Sequence, residues 1–308
     1  METPGPPYNL VHLPLLFSHI WEAGQARLES EPTEATIQKL AGLKADLDYL
    51  PYALAAAFAA VDLLGSLLRD LAANPPAHAQ HAPTAAQILG SSETEPLAFA
   101  VDAFLDAARR AQNSVIPYLT RALRVSLPAS VAQLANELRS GSRQLPDPIP
   151  EIILSYWQTS GGRLKDYRDL AQHHALVSSE ARLAPHDGGQ WSVYLALPNN
   201  PAARSPAKLR YRDPTVLAYP YCRETLLLLF QFLYEVTYVL CRRLGPRQTC
   251  SLIIMPRAPL DGGGFLSHWA PLPEDLPEAL IAVRHSFRDE CVRAYGALED
   301  LALDVPPN

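Results

Sequence analysis

The sequence predicts a mainly α fold, a helical bundle carrying a small inserted antiparallel β-hairpin. Three observations lead there. Apolar residues recur at helical spacing through most of residues 33–245. The period changes to an extended pattern only near residues 177–213, where His186-Asp187-Gly188-Gly189 divides SSEARLAP from QWSVYLALP as a glycine turn divides a hairpin. The 29 prolines, about twice the usual share, fall largely between the periodic stretches and so mark where elements end. Nothing in the pattern calls for a parallel sheet.

Residues 1–32 hold Pro4, Pro6, Pro7, Pro14 and Pro32 and read as an arm with one short helix, LLFSHIWEAGQARL. From Thr33, which with Thr36 nearby is suited to capping, Ile37, Leu40, Leu43, Leu47 and Leu50 recur on one helical face. Pro51 is expected to kink or divide this helix. Beyond it, YALAAAFAAVDLLGSLLRDLAAN is apolar on nearly every side, as a central bundle helix is. Residues 74–95 read as a polar linker, whose His78 and His81 lack the rigid frame a metal site needs.

Glu95-Pro96 opens the next helix, with Leu97, Val101, Phe104, Leu105 and Ala108 on its stripe and a kink before Pro117. Shorter helices follow in SVAQLANELR and EIILSYWQ. Ser160-Gly161-Gly162 then reads as a break, after which RLKDYRDLAQHHALV is a separate helix of about four turns. KLRYRD adds a third strand to the hairpin, and Pro220 opens a long apolar helix ending near Gly245-Pro246. TCSLIIMP is a strand, PLDGGGF a loop, and residues 274–303 a last helix with Leu276, Leu280, Val283, Phe287, Cys291, Tyr295 and Leu298 on one face. The domains so read are the arm 1–32, a bundle 33–245 with its insertion near 177–213, and a C-terminal loop and packing helix 246–308.

Composition narrows the function classes. The chain has 308 residues, 48% hydrophobic and 19% charged, with a net charge of −6. That balance opposes a general nucleic-acid coat but leaves room for a local basic site. Cys222, Cys241, Cys250 and Cys291 form no C-x-x-C pair and read as thiols of a reducing compartment. The apolar run TLLLLFQFLYEVTYVL falls short of the roughly 20 residues of a membrane span. The N-terminus has no basic region preceding an apolar one. A cytoplasmic chain away from the membrane is expected. Phosphate-loop, dinucleotide, zinc-protease and nucleophile-elbow motifs are absent from the sequence, and no cofactor or metal is implied.

The dense polar constellation is Arg163, Lys165, Asp166, Arg168, Asp169, His173 and His174. Asp169 and His173, four apart, share a helical face, so that the carboxylate is placed to orient the imidazole. Arg168 lies five residues before His173, about 140° around a regular helix. One straight helix does not aim both at a single phosphate; a broken helix end or a second copy of the chain is required. Around this segment, residues 160–212 hold eight basic residues against four acidic ones, with Tyr167, Trp191, Tyr194 and Tyr211 interleaved, a face suited to single-stranded RNA. The alternative is structural: Arg168 and Asp169 as ion pairs near the hairpin, and His173-His174 at a helix C-terminus, where a cationic imidazole is favoured.

Arg168-Asp169-Leu170-Ala171-Gln172-His173 resembles the signature of the HEPN superfamily, an arginine, a polar residue and a histidine after four to six intervening residues. Residues 99–119 also resemble a HEPN-like helix with a phenylalanine-leucine, alanine-alanine-arginine pattern, carried here by Phe104, Leu105, Ala107, Ala108 and Arg109. The resemblance implies a helical domain that dimerises through its motif helices. In active members it implies a metal-independent ribonuclease. Arg168 would then steady the charged phosphorane and His173 move the protons of the 2′-hydroxyl attack, with Asp169 orienting and Arg163, Lys165 and His174 holding substrate. Asp169 stands where asparagine is frequent in that signature. The resemblance equally allows a non-catalytic scaffold making dimer or protein-partner contacts.

Overall fold

A computed structural model describes residues 20, 29–80, 87–173, 180–185, 191–203, 205–211, 215–243, 250–254 and 266–270. The chain is mainly helical. Helix α1 (Glu34–Ala73) starts where expected: the Thr36 N–H donates to Thr33 Oγ1 at 3.2 Å, and the two threonine hydroxyls lie 2.8 Å apart. It runs 40 residues straight through Pro51, so the proline does not divide it. Leu43, Leu47 and Leu50 are buried as the stripe requires, but Ile37 is 53% exposed. Past Pro51 the helix is two-faced rather than buried all round, with Leu54, Val61 and Leu64 inside and Tyr52 and Leu63 outside.

Residues 74–95 are more than a linker. They hold the short helix α2 (Ala77–Gln80) and a two-residue strand, β1 (Gln87–Ile88). Helix α3 (Ser91–Leu123) begins before the expected Glu95-Pro96. Glu93 sits in its first turn, where a carboxylate is favoured, and Thr94 returns both its N–H and its hydroxyl to the Gly90 carbonyl. Leu97, Val101, Phe104, Leu105 and Ala108 are all buried, and the helix continues past Pro117.

Helix α4 (Val131–Arg139) is capped by Ser130, whose side chain accepts from the Gln133 N–H. The next two expected helices are one run. Helix α5 (Ile149–Tyr156) passes through a π turn, Trp157–Gly161, directly into α6 (Gly162–His173). Ser160-Gly161-Gly162 is therefore no break. The glycines serve close approach: a Cβ on Gly161 would lie 2.6 Å from Gln112 Nε2 and 2.7 Å from Tyr156 Cε1.

The hairpin is present as β2 (Glu180–Pro185) and β3 (Trp191–Leu197), antiparallel with Arg182 opposite Tyr194 and Leu183 opposite Val193. The described part of KLRYRD, residues 208–211, is not its third strand. The sheet is completed by β1 on β2 and by β4 (Val216–Leu217) on β3, in the order β1-β2-β3-β4. Pro206–Lys208 instead forms a 3₁₀ turn, tied to the end of β3 by Asn199 N–H to the Arg210 carbonyl and Arg210 N–H to Asn200 Oδ1. Helix α7 (Ala218–Arg243) follows β4 immediately. Strand β5 (Cys250–Ile254) occupies the expected TCSLIIMP and pairs antiparallel with an unexpected β6 (Leu266–Ala270). The PLDGGGF loop and the 274–303 helix, like most of the 1–32 arm, lie outside the described residues.

The described residues fall into two compact units. One comprises those up to Tyr52, Asn113–Ser155 and those of Phe230–Glu290; the other comprises Ala53–Gln112 and those of Tyr156–Leu229. The first holds the neutral pair Tyr118 and Thr237. Thr237 Oγ1 donates to the Leu233 carbonyl at 2.6 Å and lies 3.0 Å from Tyr118 Oη, so Tyr118 donates to Thr237. The second buries Phe104, Tyr167 and Leu183, each fully buried large side chain contributing about 1.5–3 kcal/mol. By length and composition α1 is also apolar enough to cross a membrane, with 44% of the relevant window buried.

Candidate functional site

Helix α6 presents its polar residues beside α3, within the second unit. Two contacts fix the pairing: Gln112 Nε2 donates to the Gly161 carbonyl at 3.4 Å, and Arg168 Nη2 lies 3.9 Å from Asp106 Oδ1. As the chain descends α3 from residue 112 to 106, it ascends α6 from 161 to 168, so the two helices run antiparallel. The two segments that carry the HEPN resemblance, far apart in sequence, are thereby side by side.

The charged residues interlock. Lys165 Nζ donates to Asp169 Oδ2 at 2.7 Å and lies 3.5 Å from Asp166. Arg168 Nη1 is 3.7 Å from Asp169 Oδ1; both of its carboxylate contacts are beyond hydrogen-bonding distance. Arg168 is 29% exposed at its side chain, and its Nε is buried with no hydrogen-bond partner. Asp106 also holds Arg110 at 3.1 Å.

Arg109 belongs to the same group. Its Nη1 donates to Gln112 Oε1 at 2.5 Å and its guanidinium lies 5.9 Å from the Trp157 ring. Burial lowers its pKa; Asp169 and Tyr156 oppose that, while Arg168 adds to it. About two turns back on α3, burial raises the pKa of Asp102, whose Oδ1 is buried without a hydrogen bond.

Of the residues expected to form the site, Lys165, Arg168 and Asp169 come together. Arg163 is turned elsewhere: its guanidinium lies 5.5 Å from the Tyr167 ring and 5.7 Å from the Tyr221 ring, and it donates to Tyr167 Oη at 3.3 Å. His173 is exposed at the last residue of α6. Because α6 is regular up to that point, Arg168 and His173 of one chain stand about 140° apart around the axis and about 7.5 Å apart along it. His174 lies outside the described residues.

The expected RNA face is reduced. Tyr167 is fully buried, stands edge-on to Tyr221 with ring centroids 4.7 Å apart, and donates to the Pro198 carbonyl at 2.6 Å. It is a core residue, and burial raises its pKa while Arg163 lowers it. Arg182 and Tyr194 face each other across β2 and β3, with Ile88, 72% exposed, opposite Arg182 on β1. Arg204 and Arg212 lie outside the described residues.

Asp106, Gln112 and Trp157 join the cluster without any sequence motif to mark them, and Arg109 is marked in the sequence only as part of a helical pattern. One signal was there: Gln112 falls four residues after Ala108, on the buried stripe of α3, where a fully buried amide demands partners. Comparison with family models, curated proteins and solved structures finds no match. Among the described residues no group of three or more His, Cys, Asp or Glu is placed to hold a metal ion.

Proposed function

We propose that the chain is a HEPN-like helical protein that cleaves RNA without a metal ion, as a cytoplasmic homodimer with α6 as its motif helix. The observation that supports this best is the antiparallel pairing of α3 and α6, which sets Arg109 and Arg168, one from each resembling segment, in a single cluster. Arg168 is half-buried and loosely held, so a phosphate oxygen would offer it shorter, charge-assisted bonds than its carboxylates do. His173 is exposed at the end of α6, and imidazole is the side chain most often used to move protons in such an attack. The angle between them on one regular helix requires that Arg168 of one protomer work with His173 of a second. Asp169, with Lys165 on one oxygen and Arg168 beside the other, acts in this reading chiefly to hold those cations. The test is RNA incubated in EDTA with wild type and with His173→Ala: cleavage by the wild type alone is expected, and equal cleavage by both would sink the reading.

One observation favours a second reading, a non-catalytic scaffold that makes dimer or partner contacts. The cations Lys165, Arg168 and Arg110 all face carboxylates of their own chain, which lowers the attraction for an outside phosphate. In that case neither protein cleaves RNA, and the double change Arg168→Ala, His173→Ala shifts the oligomeric state measured by light scattering.

A further inference from the structure

The turn between α5 and α6 is wider than an α-helical turn: the Gly162 N–H donates to the Trp157 carbonyl five residues back. Such a turn absorbs one extra residue, and its effect on the faces of the helix is large. Tyr156 and Arg168 are twelve residues apart, which in an unbroken α-helix sets them about 120° from each other; absorbing one residue removes about 100° and leaves about 20°. Contacts with α3 agree with the smaller angle. Tyr156 and Arg168 both act on Arg109, Gly161 abuts Gln112, and Arg168 reaches Asp106.

Gln112 holds this turn in place. It is fully buried, its oxygen accepts from Arg109, and its amide donates to the Gly161 carbonyl. Gly161 is tight enough against Gln112 and Tyr156 to leave no room for a Cβ, and a Cβ on Gly162 would sit 3.1 Å from the Trp157 carbonyl oxygen. Trp157, on the same turn, carries Arg109 near its ring.

We propose that the π turn Trp157–Gly161 is a phase-setting device that turns Arg168 and Asp169 onto α3, and that Gln112 is the positioning residue that clamps it. Its consequence for RNA cleavage rests on the function proposed above; the geometry does not.

A stability cycle tests the clamp. Thr159 is exposed within the turn, and deleting it converts the π turn to an α turn while the flanking faces stay in phase. Deleting Asp166 from α6 instead rotates everything beyond it by about 100° with nothing to absorb the change. The Thr159 deletion is expected to keep Tm within ~3 °C of wild type and the Asp166 deletion to lower it by at least ~10 °C; equal losses overturn the phase-setting role. Gln112→Leu should lower Tm by ~5 °C in the intact chain and by under ~2 °C in the Thr159-deleted chain, since the clamp matters only where there is a bulge to hold. Gln112→Glu, which keeps an acceptor for Arg109 but loses the donor to Gly161, should show the same pattern should the leucine variant fail to fold. The same drop in both backgrounds overturns the clamp. In a cleavage assay, Gln112→Leu should reduce kcat about tenfold with little change in KM, the mark of a displaced Arg168. An unchanged kcat overturns its positioning role, whereas a wild type that does not cleave overturns the RNA reading and leaves the Tm cycle to decide the bulge.

Discussion

The two units of this chain solve the same problem, buried polarity, in opposite ways. In the first, Tyr118, Thr237 and the Leu233 carbonyl form a neutral chain of hydrogen bonds in which each hydroxyl proton has an acceptor. Its ion pairs include Lys44 with Asp48, both well exposed, Arg143 with Glu137, both about a third exposed, and Arg121 with Asp46 beside Gly42, of which Asp46 is the more covered. In the second, Arg109, Arg168, Asp102 and Asp169 are drawn half into the protein, Arg168 Nε and Asp102 Oδ1 lack hydrogen bonds, and burial moves both Arg109 and Asp102 away from their charged forms. Burying charge costs free energy that an apolar pair would not. A fold that needed only stability would resemble the first unit throughout, and for that reason the second is where chemistry is sought.

The sharpest way to break this contrast is to remove a core anchor from the charged unit. Tyr167→Ala should cost about 3–5 kcal/mol, the range for emptying a large aromatic site, and should abolish any activity with it; urea unfolding measures it, and a cost under about 1 kcal/mol would show that Tyr167 is not the core residue its contacts describe. Next in size, Thr237→Val in the neutral unit removes the hydroxyl that accepts from Tyr118 and donates to the Leu233 carbonyl and should cost about 1–3 kcal/mol, with no effect on RNA cleavage. Arg168→Ala should do the reverse, changing stability by less than about 1 kcal/mol because its pairs are long and partly exposed, while removing cleavage.

The smallest effect is at Asp102. A carboxyl whose pKa is raised in the folded state favours folding fully below its unfolded pKa and loses that contribution as pH rises through the folded value. The ionised form is the one that burial penalises. Asp102→Asn should therefore raise Tm modestly at pH 7 and by progressively less toward pH 4, as the wild-type carboxyl takes up its proton. An equal gain at both pH values would remove titration as the cause.

Much of the fold was legible because its helices are long and their stripes regular: Leu97 through Ala108 were placed on the buried face from spacing alone. What was not legible depended on tertiary partners. Strand β1 is two residues long and exists only against β2, so no period within residues 74–95 announces it. Ser160-Gly161-Gly162 looked like punctuation because glycine usually ends a helix, yet here α3 passes so close that only glycine fits. Pro51, expected to kink or divide its helix, does not end it, and the helix holding Pro117 likewise runs on past it. In the candidate site, the motif helix and its charged residues were legible; the inward turn of Tyr167, the capture of Arg163 by two tyrosine rings and the approach of Arg109 were not, since each is decided by another element.

In the proposed enzyme, Arg168 of one protomer works with His173 of another. Arg168→Ala and His173→Ala proteins, each unable to cleave RNA alone, should recover cleavage in EDTA when unfolded together and refolded as a mixture, because mixed dimers contain one intact pair. A mixture that stays inactive while wild type put through the same refolding cleaves would contradict it.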